Sequence, residues 1–360
     1  MNRKQWTCLA LSLLLGALLL IVGAVVLIDP FEVYHQATAF TPPIANGTQI
    51  YSNAGIAKNY DYDSVIIGSS MTENFRPSQL DSLLGGRFVK LCVNAGTPFN
   101  HRQMMDMAFG THDVRRVLYG LYVEALTYFY TQPKCEMPDY LYDDNLFNDV
   151  QYWFNQSVLA RYIPACLRTL GTHDENQRDT MYTWGDPGEY AYGPQAALAG
   201  ITLSSTPVAQ KDARGQTPVL SQASKLNVEH NLLPFLEAHP DTEFLFFFPP
   251  YSLARWYEFY AEGTLHYHLN QKEALIDILL GYDNVQVYDF QACADVITNL
   301  DLYIDAGHYG PAVNDAMIEA ISRGEYRVTD AAQAQKNDDL LCALVDQLVL
   351  AGGWPDVFVY

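Results

Sequence analysis

Residues 61–84, DYDSVIIGSSMTENFRPSQLDSLL, join a short apolar run, a glycine, two serines and a run of helical spacing. Ser64–Ile67 has the length and β-branched composition of a buried strand, and Pro77–Leu84 carries apolar residues at helical intervals. A tight glycine turn between a strand and a helix raises a serine hydroxyl to the carboxyl edge of a sheet. The N–H groups at the start of the helix then stabilise negative charge there. This stretch predicts an α/β fold with an exposed serine, Ser70, at the sheet edge.

The same residues have a second, purely structural interpretation. Residues 70–73, SMTE, fit a capping box, in which a serine at the N-cap and a glutamate three residues later bond each other's backbone N–H groups. The two interpretations are compatible. A nucleophilic role for Ser70 therefore depends on finding a base elsewhere in the chain.

A candidate base lies near the carboxyl end of the chain. Residues 305–308, DAGH, set a carboxylate and an imidazole three positions apart, after the last predicted strand and before a helix. In a parallel sheet this loop lies on the same edge as the turn after the first strand. Asp305 then orients His308, whose Nε2 faces the Ser70 hydroxyl and makes it nucleophilic near neutral pH. The alternative is an ordinary loop aspartate beside a surface histidine.

The remaining chain predicts an α/β core interrupted by an insertion. Further apolar runs predict the other strands of a parallel sheet, at residues 87–94, 116–122, 243–248 and 284–290. The irregular, aromatic-rich region between them either lines a binding surface or packs an inserted cap onto the core. We assign an extended entry segment to 29–60, the core to 61–130 and 227–325, the inserted cap to 131–226 and a helical tail to 326–360.

An apolar stretch at residues 6–28 carries no charge and is long enough to cross a bilayer core of about 30 Å. Arg3 and Lys4 precede it and acidic residues follow, so the positive-inside rule predicts a cytoplasmic amino terminus. A cleaved signal peptide is the alternative, although the apolar run is longer than an ordinary signal core. We expect residues 1–28 to anchor a single-pass protein of the cell membrane whose remaining residues lie outside the cytoplasm.

The net charge and the cysteine spacing indicate which partners and metal ions to expect. The chain has a formal net charge of −20, and an acidic surface repels phosphates, so we expect no nucleic-acid partner. The six cysteines show no spacing typical of a zinc site. The chemistry predicted for the serine needs no metal or cofactor, and we expect none.

Three blocks of the sequence resemble the SGNH/GDSL hydrolase superfamily: IIGSSMTENF at 66–75, LCVNAGTPF at 91–99 and NLDLYIDAGHYGPAVND at 299–315. More narrowly, they resemble its membrane-anchored bacterial branch, akin to the lipoteichoic acid D-alanylation protein DltD and the alginate O-acetylation proteins. The likeness does not extend to the middle of the chain. It implies a three-layer SGNH-like fold around a central parallel sheet, with an inserted irregular and helical region and an N-terminal transmembrane helix.

The resemblance also implies roles for individual residues. The family's nucleophile falls on Ser70, and its catalytic aspartate and histidine fall on Asp305 and His308. The second block of the family contains a glycine whose backbone N–H binds the oxyanion. That glycine falls on Gly96, with Asn94 beside it.

The third block departs from the family. Its GxND pattern falls near residues 120–123, GLYV, which contain no asparagine. One oxyanion donor, worth about 3 kcal/mol of transition-state stabilisation, is therefore missing or comes from elsewhere. Asn74 or a backbone N–H group is a candidate for that donor.

Together these features predict a membrane-anchored serine esterase or O-acyltransferase that acts on an acylated cell-envelope glycan or polymer. Ser70 attacks an ester or thioester carbonyl, and water or a sugar hydroxyl resolves the acyl-Ser70 intermediate. A membrane protein that transfers acyl groups is an implied partner. The missing asparagine favours one alternative, a catalytically silent SGNH-like module that binds a glycan or a partner protein. A purely structural membrane-anchored scaffold is a third hypothesis.

Overall fold

A six-stranded sheet forms the centre of the computed structural model, which describes residues 2–172, 174–203, 206–214, 217–352 and 354. The strands are β1 (Ser64–Ile67), β2 (Phe88–Lys90), β3 (Arg116–Gly120), β4 (Glu243–Phe248), β5 (Val285–Asp289) and β6 (Arg327–Val328). Their order is β2-β1-β3-β4-β5-β6; the first five are parallel and β6 pairs antiparallel with β5. The sheet is therefore mixed and not wholly parallel, although the sequence predicts a parallel sheet. Strand β6 was not predicted because it has only two residues and gives no apolar run in the sequence.

Helices connect the strands and cover the sheet. In chain order they are α1 (Arg3–Ile28), α2 (Gln49–Asn59), α3 (Ser70–Glu73), α4 (Pro77–Leu84), α5 (Pro98–Thr111), α6 (Val150–Trp153), α7 (Ile163–Arg168), α8 (Gln177–Thr180), α9 (Pro194–Ala197), α10 (Gln222–Asn231), α11 (Leu233–Ala238), α12 (Leu253–Ala261), α13 (Leu265–Leu279), α14 (Ala294–Ile297), α15 (Pro311–Ser322) and α16 (Ala331–Ala351). A π-helical turn precedes α7 at Val158–Tyr162, and 3₁₀ turns occur at Glu124–Thr127, Asp139–Leu141, Phe290–Ala292 and Leu300–Leu302.

Successive side chains of the strands enter two separate apolar clusters. On β1, Val65 and Ile67 belong to one cluster with residues of α5 and α11, whereas Ile66 belongs to the other with residues of α12 and α15. All three side chains are fully buried. Strands covered on both faces appear in a sequence as continuous apolar runs. The five predicted strands are present for this reason, β1 and β4 with their predicted bounds.

The predicted extended entry segment, residues 29–60, instead contains the helix α2. The buried face of α2 consists largely of small and polar side chains, so the sequence lacks the apolar period that indicates a helix. At Gly55 the helix lies against the preceding chain, since a Cβ atom there would be 2.1 Å from Phe31 O. The prediction of an extended conformation was therefore wrong for residues 49–59.

The residues after 325, predicted to form a helical tail, contribute both to the sheet and to the core. Strand β6 pairs with β5, and the buried side chains of α16 join the apolar clusters. Helix α16 begins after Asp330, whose carboxylate accepts a hydrogen bond of 2.8 Å from Gln333 N. Residues 353 and 355–360 of the predicted tail lie outside the described residues.

Helix α1 has the length and composition of a membrane span or a signal sequence. Its mean hydropathy reaches 3.0, and only 6% of its most apolar window is buried against the protein. The carboxyl end of the helix packs on the inserted region through Val25, Phe31 and Tyr152. Tyr152 Oη also donates a hydrogen bond of 3.1 Å to Asp29 Oδ1 directly after the helix. The orientation of α1 across a membrane stays a prediction.

Candidate active site

Ser70 lies beside the point at which the strand order reverses. Strand β1 has β2 on one side and β3 on the other, so successive connections leave β1 in opposite directions. In open α/β sheets, ligands bind in the crevice beyond the carboxyl ends of strands at such a point. Gly68 and Ser69 follow β1, and Ser70 is the first residue of α3.

Gly68 and Thr72 shape the turn that presents Ser70. A Cβ atom on Gly68 would lie 2.5 Å from Thr72 Cγ2, and Gly68 has a φ of +153°, which side-chain-bearing residues rarely adopt. Thr72 Oγ1 closes the turn by donating a hydrogen bond of 2.7 Å to Ser69 O. The N-cap of α3 is Ser69, and no side chain caps this helix. The capping-box interpretation of residues 70–73 was therefore wrong.

His308 and Asp305 continue a hydrogen-bonded chain from Ser70. Ser70 Oγ lies 2.8 Å from His308 Nε2, and His308 Nδ1 lies 2.8 Å from Asp305 Oδ2. The other oxygen, Asp305 Oδ1, accepts hydrogen bonds from the backbone N–H groups of Gly307 and His308 at 2.8 and 2.7 Å. These bonds fix the imidazole between a hydroxyl and a carboxylate. The structure thus brings together the three residues that the sequence singled out, in an arrangement able to move a proton from Ser70 to His308.

The Asp305 carboxyl group is held in its ionised form. Burial opposes ionisation, but the hydrogen bond and charge interaction with His308 and the two backbone N–H bonds outweigh it and lower the pKa of Asp305 to about 2. The carboxylate is therefore negative at neutral pH. It stabilises the positive charge that His308 gains on accepting a proton.

Helix α15 follows the His308 loop and fixes that loop against α3. Asn314 is fully buried on α15, and its Nδ2 donates a hydrogen bond of 2.9 Å to Met71 O. One residue later, Asp315 Oδ1 lies 2.9 Å from Arg76 Nε in a half-exposed ion pair, which contributes little stability by itself. The buried amide contact therefore does more to hold the distance between Ser70 and His308.

Trp184, from the inserted region, covers the backbone of the serine turn. Its indole Nε1–H donates a hydrogen bond of 3.0 Å to Ser70 O, and its ring meets the His308 ring edge-on at a centroid distance of 5.4 Å. The backbone N–H of Trp184 donates to Asn74 Oδ1 at 2.9 Å. These contacts could not be predicted from the sequence, because the region around Trp184 has no regular hydrophobic period.

Lys90 fastens the same part of the insertion to the core. The side chain is buried, and its Nζ donates hydrogen bonds of 2.8 Å to the carbonyl oxygens of Glu73, Asp179 and Met181. Burial lowers the pKa of Lys90 to about 8, although nearby negative groups oppose this effect. Lys90 therefore connects the end of α3 to the segment that carries Trp184.

The three residues predicted to bind the oxyanion do not line the cavity at Ser70. The N–H group of Gly96 donates a hydrogen bond of 2.8 Å to Val93 O within a tight turn. The Asn94 side chain interacts with Glu73, and Asn74 uses its carbonyl oxygen to bind Trp184. Strand β2 ends at Lys90, but the chain stays hydrogen-bonded to the neighbouring segment through Leu91 N–H to Ile66 O and Val93 N–H to Gly68 O, and it turns only after Val93.

A cavity of about 450 Å³ opens next to Ser70 and His308. Its lining includes five charged or aromatic residues beyond the predicted ones: Tyr122, Glu124, Tyr251, Arg255 and Glu258. Arg255 Nη1 donates to Glu258 Oε2 at 2.7 Å, and Tyr251 Oη donates to Glu124 Oε2 at 3.4 Å. Two larger cavities, of about 840 and 870 Å³, are not lined by Ser70, Asp305 or His308, although Trp184 lines the second of them. Chemistry rather than size therefore identifies the candidate site.

No protein-family model matches this chain, and no curated protein sequence matches it. The functional argument therefore depends on the geometry of the site and on the sequence blocks described above.

Proposed function

We propose that this protein is a serine esterase or O-acyltransferase that works through an acyl-Ser70 intermediate. The observation that carries the proposal is the hydrogen-bonded chain from Ser70 Oγ through His308 to Asp305, with both distances at 2.8 Å. This chain lies at the carboxyl edge of the sheet and opens into a cavity. A serine hydroxyl has few other reasons to face an imidazole that a carboxylate already orients.

The reaction has two halves. His308 Nε2 accepts the Ser70 proton while Oγ forms a bond to the carbonyl carbon of an ester or thioester. The tetrahedral intermediate collapses by breaking the bond to the leaving group, which takes the proton back from His308. Water or a sugar hydroxyl then attacks acyl-Ser70 with the same histidine as base, and Ser70 recovers its proton.

We further propose an SGNH-like fold in three layers, anchored in the cell membrane with its catalytic part outside the cytoplasm. The helices in contact with both faces of the sheet support the layering, and the length and apolar surface of α1 support the anchor. The resemblance of the three sequence blocks supports an acylated cell-envelope glycan or polymer as substrate. A membrane protein that hands over the acyl group is the partner that this role would need.

Turnover of an aryl ester by the full chain in detergent tests the proposed function. We expect Ser70→Ala to lower kcat by about 10⁴-fold or more, because Ser70 carries the hydroxyl that lies against His308 Nε2. Ser322→Ala is the matched control, since Ser322 lies at the far end of α15 and bonds only within its helix. Unchanged turnover in Ser70→Ala, or equal losses in the two variants, would refute the proposal.

A second candidate function is a catalytically silent binding module. The observation that favours it is the position of Gly96, Asn94 and Asn74, none of which reaches the cavity. A fluorophosphonate probe separates the two functions, because it labels a serine only when an adjacent base activates it. Labelling of the Ser70 peptide excludes the silent module, whereas an inert, folded protein supports it.

A further inference from the structure

An acyl transfer at Ser70 needs a hydrogen-bond donor for the carbonyl oxygen, which becomes negative in the transition state. Such donors contribute most when they are preorganised and shielded from water. Gly96, Asn94 and Asn74 do not line the cavity, so any donor beyond the backbone N–H groups of the serine turn has to come from another residue of the cavity wall.

The hydroxyl group of Tyr122 is a candidate for this donor. Tyr122 lines the cavity together with Ser69 and Ser70, and its Oη is buried with no partner at full hydrogen-bond geometry. Ser69 is the polar group close enough to act on this hydroxyl. Buried hydroxyl groups are nearly always hydrogen-bonded, so an unpaired one in a native site calls for an explanation. The neighbouring phenol, Tyr251, differs because it donates to Glu124.

The position of Tyr122 in the sheet brings it to the serine turn. It follows β3 by two residues, and β3 pairs in parallel with β1, which leads directly into Ser70. A Cβ atom on Gly120 would lie 3.3 Å from Tyr122 Oη and 2.8 Å from Thr72 Cγ2. Glycine at the end of β3 therefore leaves room for the phenol beneath the turn that presents the nucleophile.

The phenol keeps its proton over the working range of pH. Burial raises the pKa of Tyr122 well above its usual value, while hydrogen bonding by Ser69 acts in the opposite direction. A protonated phenol is a hydrogen-bond donor in its ground state, so no ionisation step precedes its use. Hydrogen bonds of this kind commonly tighten only when a substrate binds.

We propose that Tyr122 is a catalytic residue whose hydroxyl donates a hydrogen bond to the oxyanion formed at Ser70. This inference rests on the proposed function. Tyr122 also lies within residues 120–123, GLYV, which align with the GxND block of the SGNH/GDSL superfamily and contain no asparagine. The side chain contributes through a bond that strengthens as charge develops, so it acts on kcat more than on KM.

The first test compares Tyr122→Phe with Tyr309→Phe in the full chain, using an aryl ester. Tyr309 is the matched control because its hydroxyl is also buried and unpaired but the residue does not line the cavity. We expect Tyr122→Phe to lower kcat by about 10²-fold with little change in KM, as loss of one oxyanion donor does elsewhere. Tyr309→Phe should retain its activity, and thermal unfolding checks that both variants fold.

The second test separates oxyanion binding from a structural role. An aryl thionoester places sulfur, a weak acceptor, where the ester has oxygen, so it gains little from an oxyanion donor. We expect the ratio of ester to thionoester turnover to fall about tenfold or more in Tyr122→Phe and to stay constant in Tyr309→Phe. Equal losses on both substrates would overturn the role of Tyr122 while leaving the Ser70 mechanism intact. A wild-type protein inert to esters and to fluorophosphonate would overturn both proposals.

Discussion

Glu73 lies one helical turn after Ser70 and has a fully buried carboxyl group. Its Oε1 accepts a hydrogen bond of 2.9 Å from Gln49 Nε2, and the Asn94 side chain also interacts with the carboxyl group. Burial raises the pKa of Glu73 to about 7, although Gln49, Asn94, Lys90 and His308 all act in the opposite direction. The candidate nucleophile is thus supported by a helix whose own carboxyl group titrates close to neutral pH.

This raised pKa predicts a pH-dependent stability that Glu73→Gln should remove. Because the folded state holds the proton more tightly than the unfolded chain, the stabilisation is complete below about pH 4.5 and is lost as pH rises through about 7. Relative to Glu73→Gln, the wild type should lose about 3 kcal/mol of unfolding free energy between pH 4.5 and pH 8. Denaturant unfolding at both pH values measures the difference.

Glu136→Gln serves as the control for that experiment, since Glu136 is exposed. Its unfolding free energy should follow that of the wild type at both pH values. A Glu73→Gln variant that loses as much stability with rising pH as the wild type would show that the Glu73 carboxyl group is not the source of the effect.

At the level of single residues, the sequence predicted Ser70, Asp305 and His308 because their positions follow from one rule. Turns after parallel strands meet at one edge of the sheet, whatever their separation along the chain. This rule did not predict the position of Gly96, because that position depends on the path of an irregular turn after β2. Trp184 could not be predicted, since a side chain in an aperiodic insertion contacts the core only through tertiary structure.

At the level of secondary-structure elements, α16 is joined to the sheet by a buried ionic cluster. Lys272 Nζ on α13 lies 3.0 Å from Asp289 Oδ2 and also forms an ion pair with Asp338 of α16. The three side chains are at most 1% exposed. Burial disfavours a charged lysine, but the two carboxylates outweigh it and raise the pKa of Lys272. Asn337 Nδ2 adds a hydrogen bond of 3.1 Å to Asp289.

Lys272→Met should destabilise the protein by about 3–5 kcal/mol, because it leaves two buried carboxylates without their cation. Asp339→Ala is the matched control on the same helix, since its ion pair with Arg214 is 60% exposed on the aspartate side and should contribute at most about 1 kcal/mol. Denaturant unfolding of the full chain measures both. Comparable small losses in the two variants would contradict a structural role for the cluster.

The secondary-structure elements differ in how well the local sequence predicts them. Strands β1 and β4 are buried on both faces, so every residue is selected for burial and the run stands out. Helix α2 buries small and polar groups such as Ser52 and Asn53, which carry no apolar period. Strand β6 forms where the chain, after α15, returns to the edge of β5. Such elements are determined by tertiary contacts and not by local propensity.

At the scale of the whole molecule, charge should influence which substrates enter the site. The chain carries a formal net charge of −20. Among the described residues, the cavity at Ser70 is lined by the carboxylates of Glu124, Glu258 and Asp305 and by one guanidinium group, that of Arg255. Arg255 is already bonded to Glu258, and it lies 3.7 Å from Glu124. The local balance therefore remains negative and is not reversed by the one cation.

Two aryl esters that share a leaving group and differ only in the charge at the end of the acyl chain test this influence. A cationic acyl chain should give a kcat/KM about tenfold higher than an anionic one at low salt, because the negative field attracts one and repels the other. The preference should shrink as salt shortens the screening length from about 10 Å at 0.1 M to about 3 Å at 1 M. Glu258→Gln should weaken it, whereas Glu136→Gln, a charge removed from the exposed surface, should not. A preference for the anionic ester, or a preference for the cationic ester that does not change with salt concentration, would contradict this prediction. It would mean that contacts inside the cavity, and not the electrostatic field of the protein, select the substrate.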